Sequence, residues 1–243
     1  MNDVEWQTRV DTAALYRLIA LEGWDDLVGT HVSSRIPGDE HRFLLNPYGM
    51  LFEEITASSL LTIDLNGNQL TTSDYKFNHA GFTIHSAVHM NRDDAMFVIH
   101  LHTDYGIAIS CQKEGLKPLN QTAIAVYSDL AYHDYEGVAT NLAERERIVE
   151  DLGEKNAMIL RNHGTMACGP NAGGAWQAIF RLERACRYQI LAESGGANTR
   201  SLSADIIDSR AGATSTEALA TRGKFIWPAL LRKLDRIDKS YRD

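Results

Sequence analysis

The sequence predicts a single α/β or α+β domain, on three observations. Segments with apolar residues near helical spacing alternate with short apolar runs of strand length. Gly, Pro and Asn, which punctuate strands, bound those runs. At 243 residues, 44% hydrophobic and 23% charged, the chain has the size and composition to bury a large core. Some neighbouring elements are joined by short turns rather than crossover helices, so a mixed or antiparallel sheet stands beside a parallel one as an alternative.

Taken in order, Val4 to Leu21 carries Val10, Ala13, Ala14, Leu15, Leu18 and Ile19 on a helical repeat, with Gly23 placed to end it. GTHVSSRIPGDEH, from Gly29 to His41, reads as a loop. Phe43 to Leu45 reads as a strand that turns at Asn46-Pro47-Tyr48-Gly49. Leu60 to Leu65 reads as another, followed by a hairpin-type turn at Asn66-Gly67-Asn68. Asn78 to Met90 predicts a helix, Ala95 to Ile99 a buried strand, and a further helix starts near Thr103 or Asp104, either of which can cap it. Thr122 to Val126 reads as a buried strand, Leu142 to Leu152 as an amphipathic helix, Ala157 to Leu160 as a strand, and Gly173 to Glu193 as the longest helix. Residues 194–222 shift to Gly, Ala, Ser and Thr and read as a loose segment, and a final helix spans 224–241. No repeat divides the chain, so residues 1–243 are read as one domain.

Several function classes recede on bulk properties. A net charge of −8 does not suit a general nucleic-acid binder, which gains affinity by neutralising phosphates. No apolar run approaches the roughly 20 residues that cross a bilayer, so no membrane partner is expected. The start, MNDVEWQTRV, has no basic-then-apolar leader. Cys111, Cys168 and Cys186 are odd in number and lack a CxxC spacing, which fits cytoplasmic thiols.

The chemistry-bearing pattern is His100-Leu-His102 at the end of the apolar run AMFVI. Strand side chains alternate with a period of two, so both imidazoles point one way and Leu101 the other. About sixty residues later a second apolar run, AMIL, leads through a polar turn to His163 and Gly164. Three neutral imidazoles with an open fourth position describe a catalytic zinc-type centre. Satisfied structural histidines are the plain alternative.

The segments HVSSRIPG, NPYGMLFEEIT, HAGFTIHSAVH, FVIHLHTDYGIAIS, LAYHDYEG and ILRNHGTMACG, in that order, resemble the class II aldolase and adducin head-domain family over roughly Val10 to Ala197. The resemblance implies a three-layer α/β/α sandwich around a central, largely antiparallel mixed sheet. It implies Zn2+, or Mn2+ or Co2+ in its place, on His100, His102 and His163, and a homotetramer acting on a small-molecule substrate.

Departures from the sugar-phosphate aldolase pattern carry as much information. The Ser-Ser-Glu that supplies that group's acid/base and phosphate contacts aligns with His79, Ala80 and Gly81, so the usual carboxylate is missing. An expected Asn aligns with His31, and an expected Ser or Thr before a Gly aligns with Tyr48 before Gly49. His79 is therefore the candidate acid/base, with a helix-start residue as the alternative. His31, Tyr48 and Gly49 are the candidate substrate contacts, and Tyr135, the second catalytic candidate, lies with its neighbours Tyr132 and His133 in a region near the site in relatives. His85 and His89 share a helix face but lack the Glu of an HExxH zinc site, and read as packing. Asp74 reads as a turn residue, Asp104 as a cap and Arg161 as one half of a structural ion pair. The expectation is a divalent-metal-dependent lyase, of aldolase or decarboxylase type. It would cleave a C–C bond of a small unphosphorylated hydroxy- or keto-acid through a metal-stabilised enolate. The alternative is a non-catalytic, adducin-like scaffold.

Overall fold

Seven short strands build one sheet: β1 (His31–Arg35), β2 (Arg42–Leu45), β3 (Leu61–Asp64), β4 (Phe97–Leu101), β5 (Leu130–His133), β6 (Ala157–Leu160) and β7 (Gly164–Gly169). They come from a computed structural model that describes residues 2–38, 41–138, 141–196 and 198–243. The spatial order is β3-β2-β1-β4-β7-β6-β5, and every pairing is antiparallel except β5 with β6. β4, which carries His100 and leads directly into His102, therefore lies mid-sheet between β1 and β7.

Helices cover both faces, which is the expected three-layer sandwich. On one side lie α1 (Asp3–Glu22), α3 (Asp104–Ser110), α4 (Gln121–Tyr127), α6 (Ala172–Glu193) and α8 (Thr216–Asp235). They bury Leu15, Ile109, Val126, Ile179 and Leu219 with Phe97, Ile99 and Leu101 of β4. On the other side lie α2 (His79–Asn91) and α5 (Glu144–Leu152), whose Ile84, Val88, Ile148 and Leu152 meet Val98, Met158 and Met166. The period-two alternation of β4 thus sends its odd positions to one layer and its even positions to the other. Gly23 ends α1 in the left-handed conformation, φ 67, as its position predicts.

Several elements differ from the sequence expectation, each for a physical reason. The segment read as a loop from Gly29 contains β1, buried along its length; residues 39–40 of that segment lie outside the described residues. Its polar side chains find partners across the layers: Ser34 bonds Thr12 of α1 at 2.6 Å, and Ser33 bonds two histidines of α2. Thr122 to Val126 is not a strand but most of α4, because the Asn120 side chain accepts from the amides of Thr122 and Ala123 and starts a helix there. β5 and β7 were not anticipated. The segment 194–222 contains α7 (Ala204–Asp208) and the start of α8, so the last long helix begins at Thr216 and ends at Asp235. Thr103, not Asp104, caps α3: its hydroxyl accepts from Gly106 N at 3.0 Å.

Candidate metal centre

His100 lies on the same strand parity as Val98, facing α2, and His102 keeps that parity just past the end of β4. His163 arrives from the opposite direction, in the turn joining β6 to β7. That turn closes the Leu160–Gly164 pair, with Asn162 left-handed at φ 56 and His163 N donating to Leu160 O at 3.1 Å. A side chain on Gly164 would collide with the Leu101 carbonyl and crowd His102, so glycine is what lets β7 close against β4 here. The three rings form a near-equilateral triangle, with centroids 4.8, 4.7 and 4.9 Å apart. One nitrogen from each lies within 4.8 Å of the others.

The outer nitrogens of two rings are locked. His100 Nδ1 meets the Thr165 carbonyl oxygen at 3.0 Å, an acceptor only, so Nδ1 carries the proton. His102 Nδ1 donates to Asp26 Oδ2 at 2.9 Å. The two Nε2 atoms then face each other 3.0 Å apart. Burial above all, then the neighbouring imidazoles, hold His100 well below the ordinary histidine pKa and lower His163 to about 4, so both of these rings keep a bare lone pair for a cation near pH 7. A tetrahedral ion about 2.0–2.1 Å from each nitrogen sets neighbouring ligand atoms roughly 3.3 Å apart, close to the 3.0 Å between His100 Nε2 and His102 Nε2. These residues fit a divalent metal, with Asp26 and the Thr165 carbonyl orienting its ligands.

Two partners of this centre escaped the sequence reading. Asp26 gave no local signal, being one acid of an Asp25-Asp26 pair in a short connection. Glu183 did give one: it is a charge at a core position of α6, between Ile179, Leu182 and Cys186. Its buried carboxylate accepts from the hydroxyls of Thr103 and Thr165, which adjoin His102 and Gly164, and burial raises its pKa to about 7.

Behind the triangle runs a chain of buried imidazoles. His31 of β1 stacks on His100 with centroids 5.1 Å apart and bonds His85 at 3.0 Å. His85 bonds the Ser33 hydroxyl, which bonds His89 Nε2 at 2.7 Å. His31 is 2% exposed and lies in β1 rather than in a loop, as a buried member of this chain. Gly81, which aligns with the missing carboxylate, lies against it; a Cβ there would stand 2.5 Å from the His31 ring. The imidazole of His31 fills the space that a side chain at position 81 would take.

The other candidates separate. Tyr135, 52% exposed, places its ring 6.1 Å from that of His163. His79 is exposed at the first turn of α2 with its ring 4.9 Å from Phe77, and among the described contacts it does not meet the three histidines. Tyr48, 49% exposed, and Gly49, φ 108, lie in their turn beside Lys76 and Tyr75, also without contact to the triangle. Tyr132 bonds Leu116 N, and His133 is buried against Asp151. Arg161 forms no ion pair among the described residues: it donates to the Gln112 carbonyl and lies 4.3 Å over the Tyr132 ring. His85 and His89 are packing residues bonded to Ser33, as expected, and Asp74 is exposed at a bend.

Residues 10–190 match the family described as the class II aldolase and adducin N-terminal domain. The chain belongs to that family. It is 53% identical over 243 residues to a Caulobacter vibrioides protein named as a candidate class 2 aldolase, covering all of this chain and 95% of that one. It is 40% identical over 193 residues to mouse alpha-adducin, covering 77% of this chain and 26% of that one. The solved L-fuculose 1-phosphate aldolase of Glaciozyma antarctica superposes with a TM-score of 0.85 at 26% identity, over 98% of this chain and 93% of that one. Among the described residues no helix is long and apolar enough to cross a membrane.

Proposed function

We propose that this family member is a divalent-metal-dependent carbon–carbon lyase acting on a small, unphosphorylated hydroxy- or keto-acid. The observation that carries the reading is the convergence of His100, His102 and His163, with two Nε2 atoms 3.0 Å apart and the outer nitrogens of those two rings locked. His100, His102 and His163 hold the metal, zinc by preference and manganese or cobalt otherwise. When bound, it supplies positive charge beside the oxygen atoms where an enolate develops.

The chain's own residues do the rest. Asp26 and the Thr165 carbonyl keep the imidazoles in one tautomer, so the ligand atoms need no reorganisation. His31, bonded to His85, fixes the ring face of His100. Of the two acid/base candidates, Tyr135 stands beside His163 and His79 against Phe77, which favours Tyr135 as the proton donor to the developing carbanion. Tyr48, His79 and Ala80 stand where the sugar-phosphate members carry the small hydroxyls that wrap a phosphate, which supports an unphosphorylated substrate. The missing carboxylate at position 81 favours decarboxylation, which needs protonation after bond cleavage more than it needs a base before it. In this reading the chain is one domain, works as a homotetramer in the cytoplasm, and binds neither nucleic acid nor membrane.

The likeness to alpha-adducin supports a second reading, a non-catalytic scaffold acting through protein interaction. Zinc-, manganese- and cobalt-loaded protein incubated with a panel of keto- and hydroxy-acids separates the two. Release of carbon dioxide or an aldehyde, abolished in His163→Ala, supports the lyase. No turnover with any loaded form leaves the scaffold.

A further inference from the structure

A half-buried arginine cluster lies in the outer helical layer, between α6, α8 and the turn after α7. Arg181 Nη1 donates to the Ala213 carbonyl at 3.2 Å, and Arg222 Nη1 donates to the same oxygen. Ala213 N bonds back to the Arg210 carbonyl at 3.1 Å, so the turn delivers Arg210 to the other two. Arg184, one residue past the buried Glu183, leans on the Tyr188 hydroxyl at 3.0 Å. None of these four guanidinium groups has a carboxylate partner among the described residues, in a chain that carries 32 acidic side chains against 24 basic ones. Burial and the charges of Arg222 and Arg210 pull Arg181 below the ordinary arginine pKa.

The cluster borders a cavity of about 510 Å³, within the range of small-molecule sites, whose lining joins Arg181, Arg184, Arg210 and Gln177 to apolar side chains such as Trp176 and Phe180. Among these lining residues Arg210 Nε is buried without a hydrogen-bond partner. An orphaned donor and crowded like charges are each costly in a folded chain. One occupant relieves both: an anion whose paired oxygens match the fork of a guanidinium. We propose that this cavity binds a small polyanion, carrying two or more phosphate or carboxylate groups, at a site separate from the histidine centre. The cavity is lined by none of His100, His102 and His163. Arg184 also lines the cleft beside His102, so the two sites share one residue of α6.

Calorimetric titration with inorganic pyrophosphate and with citrate tests the assignment, at low and high ionic strength. The expected result is saturable binding of at least one probe, weakened by salt, and weakened tenfold or more in both Arg181→Gln and Arg210→Gln. The probe that binds identifies phosphate or carboxylate as the preferred group. Both probes also chelate metals, so the titration is repeated on His100→Ala, where binding is expected to persist. Thermal melts of the arginine variants establish that they fold. Absence of saturable binding to the wild type overturns the proposal, as does binding unaffected by both arginine substitutions or lost in His100→Ala. A fall in sedimentation mass in Arg181→Gln, with neither probe bound by the wild type, also overturns it, since a second copy of the chain then covers the cluster.

Discussion

Asp26→Ala isolates the part of the metal centre that the sequence does not advertise. The carboxylate accepts one hydrogen bond from His102 Nδ1 at 2.9 Å, and its side chain is 52% exposed. Removing it frees the His102 ring to rotate and to exchange tautomers, while His100 and His163 keep their places. The loop itself stays anchored, because Trp24 stacks on Trp176 with centroids 5.7 Å apart and Gly29 N bonds the Asp26 carbonyl at 2.7 Å. Loss of such an outer partner costs about 10–100-fold in metal affinity, or about 1.4–2.7 kcal/mol. Half-exposure makes the pair worth little to folding, about 0–1 kcal/mol. Zinc affinity measured by competition with a chromogenic chelator should therefore fall at least tenfold, with the melting temperature of the metal-free protein nearly unchanged. An affinity within threefold of wild type would refute the argument that Asp26 holds His102 in its ligating tautomer.

Three further outcomes follow from the same geometry. Burial holds His31, His85 and His100 well below the ordinary pKa of 6.5, His89 at about 3 and His163 at about 4. The unfolded chain takes up those protons as pH falls below 6.5 and the folded chain does not, so each of these groups lowers stability by up to about 1.4 kcal/mol per pH unit. Glu183 at about 7 and Asp129 at about 6 act in the opposite sense, losing their contribution as pH rises from about 4 through those values. Asp11, whose carboxyl burial also raises, joins them; five groups against three leave the metal-free protein weakening between pH 6.5 and about 4, and urea titrations giving a flat or rising stability on acidification would contradict this. In Gly81→Ala the new Cβ stands 2.5 Å from a His31 ring pinned by His85 and stacked on His100; overpacking of about 1–3 kcal/mol should lower the melting temperature by several degrees, and an unchanged value would contradict the packing account. Ser33→Ala leaves His85 Nδ1 and His89 Nε2 buried without their partner; a loss of about 1–3 kcal/mol is expected in chemical denaturation, against no change if the hydroxyl is dispensable.

The parts of the fold and site that were legible in the sequence are those set by local rules. His100 and His102 share a face because strand side chains alternate, and α1 and α6 stand out because long apolar periodicity has no other reading. β1 was illegible for the opposite reason. HVSSR is polar, and it becomes a mid-sheet strand only because Ser33 and His31 pair with α2 and Ser34 pairs with α1, partners remote in sequence. α4 was lost to length, since a five-residue apolar run fits a strand or a buried helical turn equally, and the deciding Asn120 cap lies outside the run. Similarity carried the ordered architecture and the expected ligand set. It could not foresee His31 buried against Gly81, because a missing side chain leaves no trace of what fills its space.

Metal content per subunit, measured by elemental analysis on purified protein and on His100→Ala and His163→Ala, tests the central claim most directly. The account predicts about one equivalent of zinc, or of manganese or cobalt, in the wild type and its loss in both variants. Wild-type protein that stays metal-free after reconstitution with zinc, manganese and cobalt would contradict it.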